Sequence, residues 1–262
     1  MVRLAATLIA ALVAMVAAHA AEPSPETVRT LAPTGTLRAA INYGNPVLAQ
    51  RGASGEPGGV SVELARELGK RLRVPVELVP FDAAGRVTEA VRSGAWDIAF
   101  LAVDPVRAAE ITFTQPYVVI EGTYMVADDS PVQAIEDVDH AGTRVSVGQG
   151  SAYDLFLTRA LTRATLVRVP TSAAAIEVFA AGGGGIDVAA GVKQPLVAFA
   201  AANPGYRVLA GRFMVIEQAM ATPRGREGAH AYLGAFVDEM KASGMVAGAL
   251  RRSNQPDATV AP

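Results

Sequence analysis

The feature that most constrains this chain is a pattern that occurs twice. Ser93-Gly94-Ala95-Trp96-Asp97-Ile98-Ala99 and Gly184-Gly185-Ile186-Asp187-Val188-Ala189 each read as a glycine that stops a helix, then an apolar residue, an aspartate and an apolar strand. Each copy closes a longer run of the same kind. Upstream of the first lie a strand at Gly35–Ile41, a helix that Ser61 can cap, bearing Leu64, Leu68 and Leu72, a strand at Val74–Phe81, and a helix that Asp82 can cap, with Val87 and Val91 inward. Upstream of the second lie a strand at Thr143–Val147, a helix opened by Ser151, a strand at Thr165–Val169, and a helix capped by Thr171 or Ser172. Strands alternating with helices predict parallel sheets with crossover helices, and the near-continuous apolar run Trp96–Ala102 suits a strand covered on both faces. Two copies predict two α/β lobes of similar build; the alternative is one continuous doubly wound sheet.

Two extended segments, Tyr117–Val126 and Phe213–Thr222, can join such lobes. The chain after the second is helical over Glu227–Lys241 and Gly244–Arg251 and should pack back on the first lobe. The expected division is a first lobe from 21–120 plus 219–252, a second lobe from 121–218, and a loose polar tail over 253–262. Residues 1–20, with Arg3, the apolar run Leu4–Ala18 and Ala18-His19-Ala20, read as a cleavable secretory signal and place the mature protein in the periplasm.

Composition removes several functions. The chain of 262 residues is 51% hydrophobic and 18% charged, with net charge −2, which gives no electrostatic case for nucleic acid or anionic lipid. It has no cysteine, so disulfides, thiolate metal sites and cysteine nucleophiles are out. His140 and His230 stand alone, outside any ligand-spaced cluster, and no metal or cofactor is implied.

Five segments carry a resemblance. Gly35-Thr36-Leu37-Arg38, Gly59-Val60-Ser61-Val62-Glu63-Leu64-Ala65, Ser93-Gly94-Ala95-Trp96-Asp97, Asp104-Pro105-Val106-Arg107 through Tyr117, and Val147-Gly148-Gln149-Gly150-Ser151 follow one another in the order and spacing of a known family. The chain resembles the family 3 extracellular solute-binding proteins, the periplasmic receptors of ABC importers for polar amino acids. The resemblance implies a two-lobed periplasmic-binding-protein fold with parallel-rich sheets, helices on their faces and two hinge crossings. It implies a monomer that closes on a small organic solute and presents it to an ABC permease.

By the same resemblance Arg107 is the residue that grips a ligand carboxylate, a task its planar fork of donors suits; otherwise it is a surface arginine paired with Glu110. Ser151 and the N–H of Ala152 can face an anion at the positive end of a helix, or Ser151 can serve as a plain N-cap, with Asp154 completing a capping box. Phe81 matches an apolar wall of the cleft, and Asn42 and Tyr43 sit in the loop from which contacts to the ligand's side chain come. Two positions depart from the family. Ala102 stands where a hydroxyl residue is usual, and Val192 stands where an aspartate takes the ligand's α-amino group. Either another carboxylate replaces it, with Glu121 and Glu217 as candidates, or the ligand has no amine there; Lys193 could favour a second anionic group. A different class also uses this fold, the periplasmic cyclohexadienyl dehydratases, in which Glu121 or Glu217 would supply acid–base chemistry. A third reading makes the protein a periplasmic partner of another enzyme or of a sensor rather than of a permease.

Overall fold

A computed structural model describes residues 22–52 and 54–262; the proposed signal segment lies outside the described residues. In chain order the elements are α1 (Pro25–Leu31), β1 (Leu37–Asn42), β2 (Gln50–Arg51), β3 (Pro57–Gly58), α2 (Val60–Leu72), β4 (Val76–Phe81), α3 (Ala84–Glu89), β5 (Ile98–Ala102), β6 (Ile111–Ala127), β7 (Arg144–Gly148), α4 (Ala152–Ala160) and β8 (Thr165–Val169). They continue with α5 (Ser172–Ala180), β9 (Val188–Val192), α6 (Lys193–Ala202), β10 (Tyr206–Val208), β11 (Met214–Pro223), α7 (Glu227–Ala242), α8 (Met245–Arg252) and β12 (Thr259–Val260). Among the described residues no helix is long and apolar enough to cross a membrane.

The repeated sequence pattern becomes a repeated strand order. In module one β4, β1 and β5 lie side by side and parallel, and β5 pairs antiparallel with β11. In module two β8, β7 and β9 do the same, and β9 pairs antiparallel with β6. The long strands β6 and β11 pair with each other from Ile111↔Pro223 to Gly122↔Met214 and carry the chain between modules. The two expectations therefore merge. Two modules of like build exist, and the hydrogen-bond ladder runs unbroken through the crossing strands in the order β4-β1-β5-β11-β6-β9-β7-β8.

The repeated aspartate has one job in both copies. The Arg38 N–H donates to Asp97 Oδ2 at 3.0 Å while the Asp97 N–H donates to the Arg38 carbonyl at 2.8 Å. In module two the Arg144 N–H donates to Asp187 Oδ2 at 2.8 Å, and the Asp187 N–H to the Arg144 carbonyl at 3.0 Å. Each aspartate thus ties the strand it precedes to the start of the module's first strand. Asp97 is wholly buried and also takes the guanidiniums of Arg38 (2.8 Å) and Arg226 (3.0 Å). Burial raises its carboxyl pKa, but these donors outweigh burial and hold it below the usual carboxylate range.

The cores follow the modules. Leu37, Ile41, Leu64, Leu68, Ile98 and Phe100 pack with Leu233 and Phe236 of α7, which returns to module one. Val126, Val145, Val147, Leu157 and Val188 fill one side of module two. All five residues of β5 are buried, as a strand covered on both faces requires.

Three local expectations change. Ser61 does not cap α2; Gly59 holds that position, and the Ser61 side chain is buried within 3.4 Å of the Tyr117 hydroxyl. Ala83, one residue past Asp82, is the N-cap of α3. The tail is not loose, because β12 adds to β6 at Val118 and Val119 and the Ala261 N–H donates to the Tyr117 carbonyl.

Candidate functional site

Parallel strands leave a crevice at their carboxyl ends, where loops diverge and helix N-termini converge. Here β1, β5, β7 and β9 all end toward one recess between the modules. Module one contributes Asn42, Asn45, Ala84, Ala102 and Arg107; module two contributes Ser151, Ala152, Tyr153, Ser172 and Val192; Ile216 and Gln218 of β11 form the floor. The recess is small, about 30 Å³. It adjoins a larger chamber of about 340 Å³ with which it shares Gly44, Tyr153, Ser172 and Val192.

Arg107 stands on the one-turn helix Arg107–Ala109 after β5 and is only 1% exposed. Its Nη1 donates to the Ala102 carbonyl and its Nη2 to the Gly150 carbonyl, both at 2.9 Å, so it spans the two modules. Its Nε is buried and has no partner. A buried unpaired donor on a charged group is costly, which marks this as a place for an acceptor. Burial lowers the guanidinium pKa to about 10, Asp104 opposes the shift, and the group stays cationic at neutral pH. Glu110 does not pair with it, being engaged by Arg92.

Ser151 is the N-cap of α4, its Oγ accepting from the Asp154 N–H at 3.1 Å. Asp154 Oδ2 reaches back to the Gly150 N–H at 2.8 Å, one residue before the cap. The cap leaves the first N–H groups of α4, on Ala152 and Tyr153, without intrahelical acceptors, and both residues line the recess. The positive helix end and the guanidinium therefore act on one small volume.

The two modules also touch around the recess. Asp104, buried in module one, accepts from Arg159 Nη2 of α4 at 2.8 Å. Gly85 of α3 lies so close to the turn before α4 that a Cβ there would sit 2.8 Å from the Gln149 carbonyl oxygen.

The sequence-derived candidates separate. Arg107, Ser151, Ala152, Asn42 and Ala102 come together on the recess. Tyr43 lines the adjoining chamber, and Phe81 lies further out beside Asp82 and Arg86. Glu121, Glu217 and Lys193 do not line the recess. Glu121 pairs with Lys193 (2.9 Å) and Arg212 (2.5 Å) beside a separate surface hollow, and Glu217 is exposed on β11. Alternation explains the last case: Ile216 and Gln218 face the recess, so the residue between them faces away. Sequence reasoning missed Gln218, Asn45, Tyr153 and Ser172. A buried glutamine inside the apolar run Met214–Ala221 was the available signal for the first. Among the described residues no group of three or more His, Asp and Glu is placed to hold a metal ion.

Residues 37–252 match the family described as bacterial extracellular solute-binding proteins, family 3. No match was found among curated proteins. Several solved structures share the fold. A solute receptor for L-cysteine from Neisseria gonorrhoeae superposes with a TM-score of 0.76 at 24% identity, covering 87% of this chain and 94% of its own. A mutant of ArgBP from T. maritima gives 0.74 at 19%, covering 87% and 99%. An ancestral amino-acid-binding protein, described as a precursor of cyclohexadienyl dehydratase, gives 0.72 at 22%, covering 86% and 98%.

Proposed function

The chain belongs to the family 3 bacterial extracellular solute-binding proteins, and from that membership we propose that it is the monomeric periplasmic receptor of an ABC-type importer. Its ligand is a small carboxylate-bearing solute, an amino acid or a related organic acid, held in the recess between the modules. The observation that carries this reading is the buried Arg107 Nε without a partner, beside the N-terminus of α4. A carboxylate there satisfies the orphaned donor and meets the helix end, while Nη2 keeps its bond to Gly150 and holds the modules together. Closure around solute is what a membrane permease can sense, and residues 1–20 would deliver the protein to the periplasm. The solved relatives lend the amino-acid side of this reading, one being a receptor for L-cysteine.

The dehydratase alternative needs an acid–base side chain at the bound molecule. Among the described residues neither Glu121 nor Glu217, the groups that reading calls on, lines the recess or the adjoining chamber; we therefore adopt the receptor reading. Titration calorimetry of the purified protein against amino acids and organic acids tests it. Binding of a carboxylate that falls at least 100-fold in Arg107→Ala is the expected result. Full affinity in that variant, or turnover of prephenate to phenylpyruvate, overturns it.

A further inference from the structure

The recess offers one sign of charge only. Among the described residues Arg107 is the one charged residue in its lining, and the α4 N-terminus adds to the positive potential. The remaining polar groups, the side chains of Asn42, Asn45, Ser151, Tyr153, Ser172 and Gln218, are neutral. The acids nearest in sequence are already engaged. Asp104 accepts from Arg159 and from the Val106 N–H; Asp154 accepts from Arg168 and from the Gly150 N–H. Asp82 borders the adjoining chamber but is exposed and does not line the recess. At the mouth of the recess stands the apolar side chain of Val192.

Space points the same way. The recess, about 30 Å³, is less than a tenth of the adjoining chamber, so it takes the head of a ligand and not its body. The rest of the molecule must continue into the chamber of about 340 Å³, whose walls include Tyr43, Pro46, Tyr153, Ile176, Val192 and Pro195. An ammonium on the carbon next to the carboxylate would sit at this junction, beside a guanidinium and Val192, where among the described residues the recess lining supplies no carboxylate and the acid that borders the chamber, Asp82, is exposed to water. Burying an ammonium in that way is strongly unfavourable.

We propose that the natural ligand is a monocarboxylate with no amino group next to the carboxylate, carrying an apolar chain or ring into the chamber. This rests on the receptor reading above and narrows its ligand class. Within it Val192 is a specificity-determining residue: it denies an ammonium the partner that an acidic side chain would give.

Calorimetry on matched pairs tests the proposal: leucine against 4-methylpentanoate, phenylalanine against 3-phenylpropanoate, and arginine against 5-guanidinopentanoate, whose distal cation could reach Asp82. The expected result is that the acid lacking the amine binds at least 100-fold more tightly than its partner in one or both apolar pairs, and that this binding needs Arg107. Val192→Asp should shift the ratio toward the amino acid by at least tenfold. If amino acids bind as tightly as their counterparts or tighter, with Arg107 required, this inference falls and the receptor reading stands. If no member of any pair binds, or binding ignores Arg107→Ala, both fall. Should Val192→Asp not fold, the ratios measured on the unaltered protein still decide.

Discussion

Gly85→Ala tests the contact between the modules. Gly85 is the second residue of α3, where helix propensity alone would favour alanine by up to ~1 kcal/mol. The added methyl, however, would lie 2.8 Å from the Gln149 carbonyl oxygen across the module contact, whereas ordinary contact begins at 3.4 Å. The modules must therefore part by about 0.6 Å at this point (3.4 less 2.8). The same displacement would stretch the Arg107–Gly150 bond from 2.9 Å to about 3.5 Å, beyond useful hydrogen-bond length. A hydrogen bond from a charged donor contributes about 1.5–3 kcal/mol, which is about 10- to 150-fold in affinity. Calorimetry with the tightest carboxylate should show a loss up to that size, because Arg107 is displaced, and thermal unfolding should fall as well, because both the contact and the bond lie within the protein itself. Unchanged affinity would refute the reasoning, since it would mean that ligand binding does not need this contact. Gly150→Ala is the harsher variant: its φ of +69° is strained for alanine, and its Cβ would meet Gly85 Cα at 2.7 Å, so stability should fall further than in Gly85→Ala.

Two further perturbations follow from the same geometry. Asp97→Asn removes a wholly buried carboxylate from two guanidiniums that still reach water, and should cost about 3 kcal/mol, the low end for breaking a buried pair. Because the folded-state pKa of Asp97 lies below its unfolded value, its contribution is full above about pH 4 and is lost as pH falls through the folded value; denaturant unfolding at stepped pH should show the variant lacking that acid-side loss. Arg159→Ala frees the buried Asp104 from its partner across the module contact and, with the arginine partly exposed, should weaken ligand binding by no more than about fivefold. Added salt should weaken the parent protein more than this variant, and equal salt sensitivity would count against the bridge.

Much of the fold was legible in the sequence because its signals are local. The glycine–apolar–aspartate repeat marked both modules, and the structure shows why: Asp97 and Asp187 each tie a strand to the first strand of their module. The crossing segments were visible as extended apolar runs, and β8 starts and ends where the sequence pattern put it. The site was only half legible. A strand turns alternate residues to opposite faces, and a one-residue slip exchanges them. The search for a replacement carboxylate pointed to Glu217, but register put the neighbouring Gln218 on the recess, on a strand irregular at that point. Glu121 and Lys193, far apart in sequence, are joined to each other by the packing of α6 against β6, which no local pattern encodes. The tail misled for a related reason. Its polar, proline-containing composition suggested a free end, but the open edge of β6 gave its backbone a place to pair.

A crystal structure of the protein grown with the tightest-binding carboxylate, ideally one carrying bromine on its apolar part so that anomalous scattering fixes its direction, locates the ligand outright. A carboxylate oxygen is expected within about 2.7–3.2 Å of Arg107 Nε, facing the α4 N-terminus, with the bromine in the chamber beside Tyr43 and Ile176. A ligand seated elsewhere, with Arg107 still bonded only to the Ala102 and Gly150 carbonyls, would contradict it.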